Sequence, residues 1–194
     1  MRELREDLRL IYDWIAPNSK VLDLGCGDGQ LLAALVEEKN CIGYGVELDT
    51  DSVIAAMDLG VNVIQSDLES GLRHGFTDNS FDVVVLSQTI QAMKNTEIIL
   101  QEMKRVARQA IVTFPNFGYW RNRLQIAQGR MPVSESMPYE WYNTPNIHWC
   151  TLADFDALCE KNGLAVLERT VMSGGKRIDF LPNLLGSLAF YRVG

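Results

Sequence analysis

The sequence predicts an α/β protein built on a doubly wound, mostly parallel sheet of seven strands, and two observations support this fold class. Short apolar runs alternate along the chain with segments whose apolar residues recur at helical spacing, as in sheets with helices on both faces. The length of 194 residues and the ordinary globular composition, 47% hydrophobic and 22% charged, suit one domain. We therefore expect residues 1–194 to fold as a single domain with an N-terminal helix within 1–17.

The first half of the chain predicts strands and helices in alternation. Residues 3–15 place Leu4, Leu8, Ile11 and Ile15 on one stripe opposite arginine and glutamate, which predicts an amphipathic helix. After this helix, apolar runs typical of strands alternate with segments whose apolar residues recur at helical spacing. The further elements expected here are strands at 20–24, 41–48 and 61–65 and helices at 28–38 and 51–59.

The second half continues the alternation. The runs FDVVVLS and QAIVTFP predict two more strands, and Pro115 ends the second of them. Gly163 directly follows a periodic segment, as is typical past the end of a helix. The connection between the last two runs, LAVLERTV and SLAFYRV, is short, so we expect the last strand to be antiparallel. These elements are strands at 81–87, 109–115, 164–171 and 187–193 and helices at 96–107 and 151–162.

The most informative stretch is VLDLGCGDGQLL, which begins at residue 21. Its glycines Gly25, Gly27 and Gly29 join the first predicted strand to the helix that follows. Glycine permits positive φ and lets a ligand approach the bare backbone, and the N-terminus of the helix offers free N–H groups. The segment therefore predicts a nucleotide-binding turn, with a glycine turn that only packs the helix on the strand as the alternative.

The charge of this turn selects among nucleotide ligands. The phosphate-binding fingerprint is G-x-G-x-x-G, whereas here the sixth place is Gln30. Asp23 lies just before the glycines and Asp28 among them, with no lysine or arginine in the loop to offset their charge, so a pyrophosphate would be repelled. S-adenosylmethionine has no phosphate and carries an ammonium and a sulfonium group. We therefore expect S-adenosylmethionine, or its product S-adenosylhomocysteine, rather than NAD.

An acidic residue ends the second predicted strand. Glu47 lies eighteen positions after Gly29, where an acid reaches ribose hydroxyls in nucleotide-binding α/β folds. A solvated surface glutamate is the alternative. Asp49 is a weaker candidate for the ribose, and we expect it to cap the helix that follows.

Two further strand ends contribute to the predicted site. Asp67 and Leu68 follow the third strand and offer a carboxylate for the adenine amino group and an aliphatic face for its ring, although Asp67 also suits a turn or helix cap. Ser87 and Gln88 end the fourth strand beside the glycines and are placed to hold the methionine moiety. The predicted cofactor-binding set is Asp23, Gly25, Cys26, Gly27, Gly29, Glu47, Leu48, Asp67, Leu68, Ser87 and Gln88.

Composition excludes several classes of protein. A net charge of −7 argues against a broad nucleic-acid or anionic-membrane surface. The chain shows no signal-peptide pattern and no apolar run long enough to span a bilayer, so we expect a cytoplasmic protein. The four cysteines form no C-x-x-C pair, and His148 with Cys150 is too small a set for a metal site, which predicts reduced thiols and no metal.

No catalytic residue is predicted. Methyl transfer is a direct displacement that depends mainly on positioning, helped by a base where the acceptor is protonated. The motif of amino-group methylases is absent from the end of the fourth strand, where the sequence reads SQTI. His148 is a possible base, but beside Trp149 it is more typical of a packed or hydrogen-bonding histidine.

Residues 116–149 form an aromatic-rich segment that is long for a connection in a compact domain. Three interpretations stand: the aromatic residues cover the sheet, contact a partner protein through Trp, Tyr and Arg side chains, or form a lid over an acceptor. Its aromatic residues are Phe117, Tyr119, Trp120, Tyr139, Trp141, Tyr142 and Trp149.

The motifs VLDLGCGDG, YGVELD, VIQSDLE and FDVVVLSQTIQAM resemble those of class I S-adenosylmethionine-dependent methyltransferases, which implies a Rossmann-like fold. One departure is the absence of the usual Pro-Gly-Gly turn before the fifth strand, which shortens a surface turn at 105–109. The runs LGCGDGQLL, VTFPNFGYWRNRLQIAQGRMP and PNIHWCTLADF resemble the MetW family of methionine biosynthesis more narrowly. That resemblance implies homoserine O-acyltransferase as a partner.

Two functions therefore remain open. The first is an S-adenosylmethionine-binding protein that supports or regulates homoserine O-acyltransferase, as the family resemblance implies. The second is a methyltransferase that acts on an unidentified small molecule. A binding subunit needs the nucleotide pocket and an interface, whereas an enzyme needs an acceptor cavity against the methyl group.

Overall fold

The computed structural model describes residues 4–69 and 75–194. In these residues it has an eight-stranded sheet with helices between the strands. The strands are β1 Lys20–Leu24, β2 Ile42–Glu47, β3 Asn62–Gln65, β4 Phe81–Ser87, β5 Ala107–Pro115, β6 Val166–Ser173, β7 Lys176–Arg177 and β8 Leu188–Val193. The α-helices are α1 Glu6–Trp14, α2 Gln30–Lys39, α3 Thr50–Asp58, α4 Thr96–Val106, α5 Trp120–Ala127, α6 Leu152–Lys161 and α7 Pro182–Leu185.

The strand order is β3-β2-β1-β4-β5-β8-β6-β7. Strands β1 to β5 pair in parallel, and β8 lies between β5 and β6 and is antiparallel to both. The predicted α/β fold with a doubly wound, mostly parallel sheet and an antiparallel last strand is confirmed. Because the first five strands run in one direction, their carboxyl ends meet at one edge of the sheet.

The strand count is the one correction to the predicted sheet. The eighth strand is β7, two residues that pair with the end of β6 across a turn at Gly174 and Gly175, both with positive φ. A pair of exposed basic residues carries no strand periodicity, so the sequence pattern contains no signal for β7. The segment that links β6 to β8 also contains the short helix α7.

Alternate residues of the central strands enter two separate cores. Leu22 and Val84 contact one core, with α4 and α6, whereas Val21 and Val85 contact the other, with α1, α2 and α3. All four side chains are fully buried. Because successive residues of a strand point to opposite faces, an unbroken apolar run indicates burial on both faces. This is the physical basis of the doubly wound architecture.

The predicted helices occur with small shifts of their ends. The N-terminal helix begins at Glu6 and buries Leu8 and Ile11 from the predicted stripe. Helix α4 ends at Val106 and β5 begins at the next residue, so the chain passes from helix to strand without a glycine turn, as predicted from the missing motif. The sequence analysis did not predict α5, which lies within the aromatic-rich segment.

Candidate functional site

The glycine loop, residues 25–29, lies at the carboxyl end of β1. All three glycines have positive φ, 74° at Gly25, 54° at Gly27 and 76° at Gly29. The N–H groups of Gly25 and Cys26 donate to the carbonyl of Val46, at 2.8 and 3.2 Å, which fixes the loop against β2. The loop therefore has the backbone conformation that its glycine spacing predicts.

Neighbouring side chains explain why two of these glycines have no side chain. A Cβ on Gly29 would lie 2.9 Å from Cβ of Ala56, on α3. A Cβ on Gly25 would lie 2.8 Å from Oγ1 of Thr89, just after β4. Contacts this short are closer than carbon and oxygen atoms pack, so both positions exclude larger residues. The loop is thus clamped between β1, α3 and the end of β4.

Glu47 lies at the end of β2, as predicted, and its carboxylate joins the glycine loop to that strand. Oε2 accepts from the N–H of Gly27 at 2.8 Å. Oε1 accepts from the N–H groups of Leu48 at 2.7 Å and Asp49 at 3.0 Å. Glu47 is therefore half-buried and bonded to main-chain N–H groups, and its role toward a ribose stays a prediction. Asp49 caps α3 by accepting from the N–H of Ser52 at 2.9 Å, which confirms its predicted role.

Asp23 is the most unusual group at this edge. The residue is 3% exposed, and its Oδ1 has no hydrogen-bond partner among residues 4–69 and 75–194. Burial and the nearby charge of Glu47 raise the pKa of Asp23 from 3.8 to about 7. A buried polar atom without a partner is rare in native proteins, and the raised pKa means that the carboxyl of Asp23 holds a proton below about pH 7. A cationic group bound at the loop would satisfy this carboxyl.

The end of β3 forms a small cavity of about 50 Å³ beside the loop. Asp67 and Leu68 line it together with Val46 of β2. Asp67 Oδ1 also accepts from the N–H of Glu69 at 2.9 Å, so the turn-capping interpretation of Asp67 holds for this oxygen. The structure therefore places Asp67 both in a cap and on the wall of a cavity.

The end of β4 is tied to β5 and to the N-terminal helix. The N–H of Gln88 donates to Oγ1 of Thr113 at 3.0 Å, and Ser87 Oγ lies 3.2 Å from the same oxygen. Gln88 has a φ of 49°, and its Nε2 donates to Oδ2 of Asp7 at 2.7 Å. Left-handed backbone in a residue other than glycine is uncommon and is held here by these bonds.

The predicted site residues thus meet along one edge, at the ends of β1, β2, β3 and β4. Cys26 is buried beneath the loop, whereas the side chain of Leu48 is 61% exposed. Sequence analysis missed Thr113 and Asp7, which hold Ser87 and Gln88 in place. Neither carried a signal, because one is a single threonine within an apolar strand and the other is an acid on the charged face of α1.

A larger cavity of about 410 Å³ adjoins Gln88. Asp7 of α1, Met172 of β6 and Leu188 of β8 line it, and Glu135 of the aromatic-rich segment lies on its wall. The cavity is therefore lined by parts of the chain that are distant in sequence. It lies beside the end of β4, at the edge of the sheet where open α/β folds bind their ligands.

The aromatic-rich segment packs on the sheet through some of its residues only. Phe117 and Trp149 pack together, with ring centroids 5.4 Å apart, and are partly buried. Trp141 and Tyr142 are each 70% exposed, so for these two rings the interpretation as cover for the sheet is wrong. His148 is exposed rather than packed, and its Nε2 lies 3.5 Å from the carbonyl of Lys94.

Within the described residues, no group of three or more His, Cys, Asp or Glu side chains is placed to hold a metal ion. Residues 4–69 and 75–194 likewise contain no helix with the length and apolar character needed to cross a bilayer.

Comparison with known families gives a match over nearly the whole chain. The family model described as Methionine biosynthesis protein MetW covers residues 5–193. A relative from Rhodopirellula baltica, the Bifunctional methionine biosynthesis protein MetXA/MetW, is 37% identical over 206 residues. The alignment covers 97% of this chain and 33% of the relative, so this chain spans about a third of the relative's length.

Solved structures share the fold at low sequence identity. An S-adenosylmethionine-dependent methyltransferase from Thermotoga maritima, described as a possible histamine N-methyltransferase, has a TM-score of 0.69 and 19% identity over 97% of this chain and 86% of that one. The [4+2]-cyclase SpnF has a TM-score of 0.70 and 16% identity over 96% and 79% of the two chains. Because these two proteins are described with different activities, the shared fold does not assign a reaction.

Proposed function

The chain belongs to the MetW family of methionine biosynthesis proteins, and on that premise we propose that it binds S-adenosylmethionine and acts with homoserine O-acyltransferase as a supporting or regulatory subunit. The observation that supports S-adenosylmethionine as the ligand is the acidic character of the strand ends. Asp23 on β1 is buried without a partner on one oxygen, Glu47 lies at the end of the neighbouring strand β2, and the glycine loop itself has no basic residue.

The residues present fit this cofactor by charge and by place. The glycine loop would lie against the aminoacyl part, whose ammonium offers the cation that buried Asp23 lacks. Glu47 would accept from a ribose hydroxyl through Oε2, which holds one backbone N–H, because each carboxylate oxygen accepts two hydrogen bonds. Asp67 and Leu68 would border the adenine, and Ser87 and Gln88 the methionine chain. The cofactor supplies an electrophilic methyl group when bound.

The partner proposal comes from the family and from one relative. The Rhodopirellula protein is described as carrying MetXA and MetW in one polypeptide, and we take MetXA to be the acyltransferase. Two activities joined in one chain are held at high effective concentration, which favours functions that act together. Because S-adenosylmethionine is made from methionine, a subunit that binds it is suited to couple the acyltransferase to the end of the pathway.

The exposed rings of the aromatic-rich segment support a protein interface. Trp141 and Tyr142 pack edge to face, with centroids 5.7 Å apart, and both face solvent. Trp120 is 41% exposed and lies beside Arg121, whose guanidinium is 5.4 Å from the indole. Tryptophan, tyrosine and arginine contribute most of the binding energy in many protein interfaces. We propose this surface as the contact with the acyltransferase.

A methyltransferase acting on a small molecule is the second candidate, and the 410 Å³ cavity beside Gln88 favours it. The cavity has the size of a small-molecule site. Glu135 on its wall is a carboxylate that would attract a cationic acceptor and accept a proton from it, whereas Asp7 is already paired with Arg5 at 3.1 Å. Here the chain would act mainly by positioning the acceptor against the methyl group.

One set of measurements tests both parts of the proposal. Calorimetry should give binding of S-adenosylmethionine or S-adenosylhomocysteine and none of NAD; tighter binding of NAD would refute the argument from Asp23. Copurification with homoserine O-acyltransferase should yield a complex, and the activity of that enzyme should change when this chain, and then the cofactor, is added. If the cofactor binds but neither a complex nor a change in activity is found, the partner role is wrong and the methyltransferase candidate stands.

A further inference from the structure

The first turn of α1 reaches the end of β4, where Ser87 and Gln88 are proposed to border the cofactor. Nε2 of Gln88 donates to Oδ2 of Asp7 at 2.7 Å, although the two residues are 81 positions apart in the chain. The side chain of Asp7 is 14% exposed, so this bond is largely shielded from water. A helix that contributes no residue to the predicted site therefore contacts it through one carboxylate.

Gln88 is fixed through all but one of its polar groups. Its N–H donates to Oγ1 and to the carbonyl of Thr113, each at 3.0 Å, and its carbonyl accepts from Nε2 of Gln91 at 2.6 Å. Because the carboxylate of Asp7 only accepts, it decides that Nε2 rather than Oε1 of Gln88 faces α1. Oε1 accepts no hydrogen bond from residues 4–69 and 75–194, and Gln88 is only partly buried, so this acceptor is left for a ligand.

The end of β4 also contacts the glycine loop. Thr89 directly follows Gln88, and its Oγ1 would lie 2.8 Å from a Cβ on Gly25. The same hydroxyl donates to the carbonyl of Ser87 at 2.9 Å. A continuous set of contacts therefore runs from Asp7 on α1, through the end of β4, to the loop that is proposed to hold the cofactor.

The rest of α1 is held independently of this contact. Leu8 and Ile11 are buried in the core that α1 shares with α2 and α3. At the other end of the helix, Nζ of Lys39 donates to the carbonyl of Ile15 at 2.6 Å. The N-terminal cap of α1 forms no side-chain bond. Loss of the bond to β4 is therefore expected to loosen the first turn without unfolding the helix.

We propose that Asp7 is a positioning residue for the cofactor: it orients the side chain of Gln88, and the bound cofactor in turn holds the first turn of α1. This inference rests on the proposed binding of S-adenosylmethionine beside Gln88. A glutamine side chain has several rotamers, and the bond to Asp7 selects one of them before the cofactor binds, which lowers the entropy lost on binding. By thermodynamic linkage, a contact that favours binding is favoured to the same extent by the bound cofactor.

Calorimetry with S-adenosylmethionine tests the first half of the proposal. Asp7→Ala should bind about tenfold more weakly, whereas Asp7→Asn, which keeps an oxygen acceptor for Gln88, should recover most of the affinity. Asp13→Ala, at an exposed position of the same helix, is the control and should bind as the wild type does. Circular dichroism checks that each variant is folded. If the wild type does not bind, the proposed cofactor is wrong and this inference falls with it; equal binding by wild type and Asp7→Ala would overturn the inference alone.

A double-mutant cycle separates positioning from a purely structural role. If Asp7 acts through Gln88, Asp7→Ala should cause no further loss of affinity in a Gln88→Ala background, whereas losses that add would contradict the proposal.

Hydrogen exchange measures the linkage in the opposite direction. The N–H of Arg9 donates to the carbonyl of Arg5 at 3.0 Å and reports on the first turn of α1. Saturating S-adenosylmethionine should slow its exchange in the wild type by up to the same tenfold factor, and Asp7→Ala should lose this effect. Equal slowing in the two proteins would show that the cofactor does not act on α1 through Asp7.

Discussion

The glycine loop and the aromatic-rich segment each follow a parallel strand of the same sheet, yet they use their side chains in opposite ways. In the loop the smallest residue is buried: Gly29 packs on Ala56 so closely that a Cβ would lie 2.9 Å from its neighbour. In the segment the largest residues face solvent, with Trp141 and Tyr142 70% exposed. The size and hydrophobicity of a side chain therefore do not decide its burial at this edge. Burial is decided by how closely neighbouring elements approach and by which groups form hydrogen bonds.

Buried amides anchor the start of the aromatic-rich segment. Asn116 and Asn122 are both fully buried. Asn116 Nδ2 donates to the carbonyl of Gly186 at 2.8 Å, and Asn122 Nδ2 donates to the carbonyl of Asn116 at 3.2 Å. A buried amide that satisfies main-chain groups fixes the course of a loop that has few ladder bonds of its own. The start of the segment is thereby tied to the chain just before β8.

The largest effect is expected from the ionisation of Asp23. Because its pKa is raised to about 7, the folded state holds a proton that the unfolded chain loses near pH 4. Stability from this group is complete below about pH 4 and is lost as the pH rises to about 7, by on the order of 2–4 kcal/mol. Urea unfolding from pH 4 to pH 8 should show this decline, and Asp23→Asn should remove it. A variant that keeps the wild-type slope would mean that another group is responsible.

The packing of the loop is tested by Gly29→Ala against Gly129→Ala. Both glycines have a φ near 77°, but a Cβ on Gly129, in the aromatic-rich segment, meets nothing within 4 Å. Gly129→Ala should cost only the left-handed strain, about 1 kcal/mol, whereas Gly29→Ala should add overpacking for a total of about 3 kcal/mol. Chemical denaturation measures both free energies of unfolding. Equal losses would show that α3 moves aside freely.

Glu47→Gln addresses the proposed ribose contact. The variant should weaken S-adenosylmethionine binding by about 1.5–3 kcal/mol, because a neutral amide replaces a charged acceptor. Asp49→Ala is the matched control: it removes the cap of α3 and should lower stability by about 1 kcal/mol while leaving cofactor affinity unchanged. Calorimetry gives the affinities, and an unaltered Kd for Glu47→Gln would remove Glu47 from the proposed site.

The smallest effect on the fold is expected at Trp141. Because the ring is largely exposed, Trp141→Ala should change the free energy of unfolding by less than about 0.5 kcal/mol. Binding to the acyltransferase should nevertheless weaken by about 2 kcal/mol. Asn116→Ala reverses this pattern, with a loss of about 2 kcal/mol in stability from its buried partners. Circular dichroism checks folding before pull-down, and an intact complex with Trp141→Ala would reject the interface.

The sequence by itself determined the fold class, the order of the first five strands along the chain and the position of Glu47 at the end of β2. Apolar runs bounded by glycine and proline are local signals, and parallel strands then bring their carboxyl ends to one edge whatever the details of the loops. The glycine spacing with its acidic neighbours marked the loop for the same reason, since φ preference and charge belong to single residues.

Only the tertiary structure decided which polar groups are satisfied and which surfaces are left open. The unpartnered oxygens of Asp23 and Gln91, the bond from Gln88 to Asp7 and the strand β7 each depend on residues far apart in the chain. Burial and hydrogen bonding depend on all the neighbours of a residue in the fold. Residue type alone therefore does not predict that these asparagines are buried and these tryptophans exposed. That is why the aromatic-rich segment left three interpretations open in the sequence, and why its amide anchor became visible only in the fold.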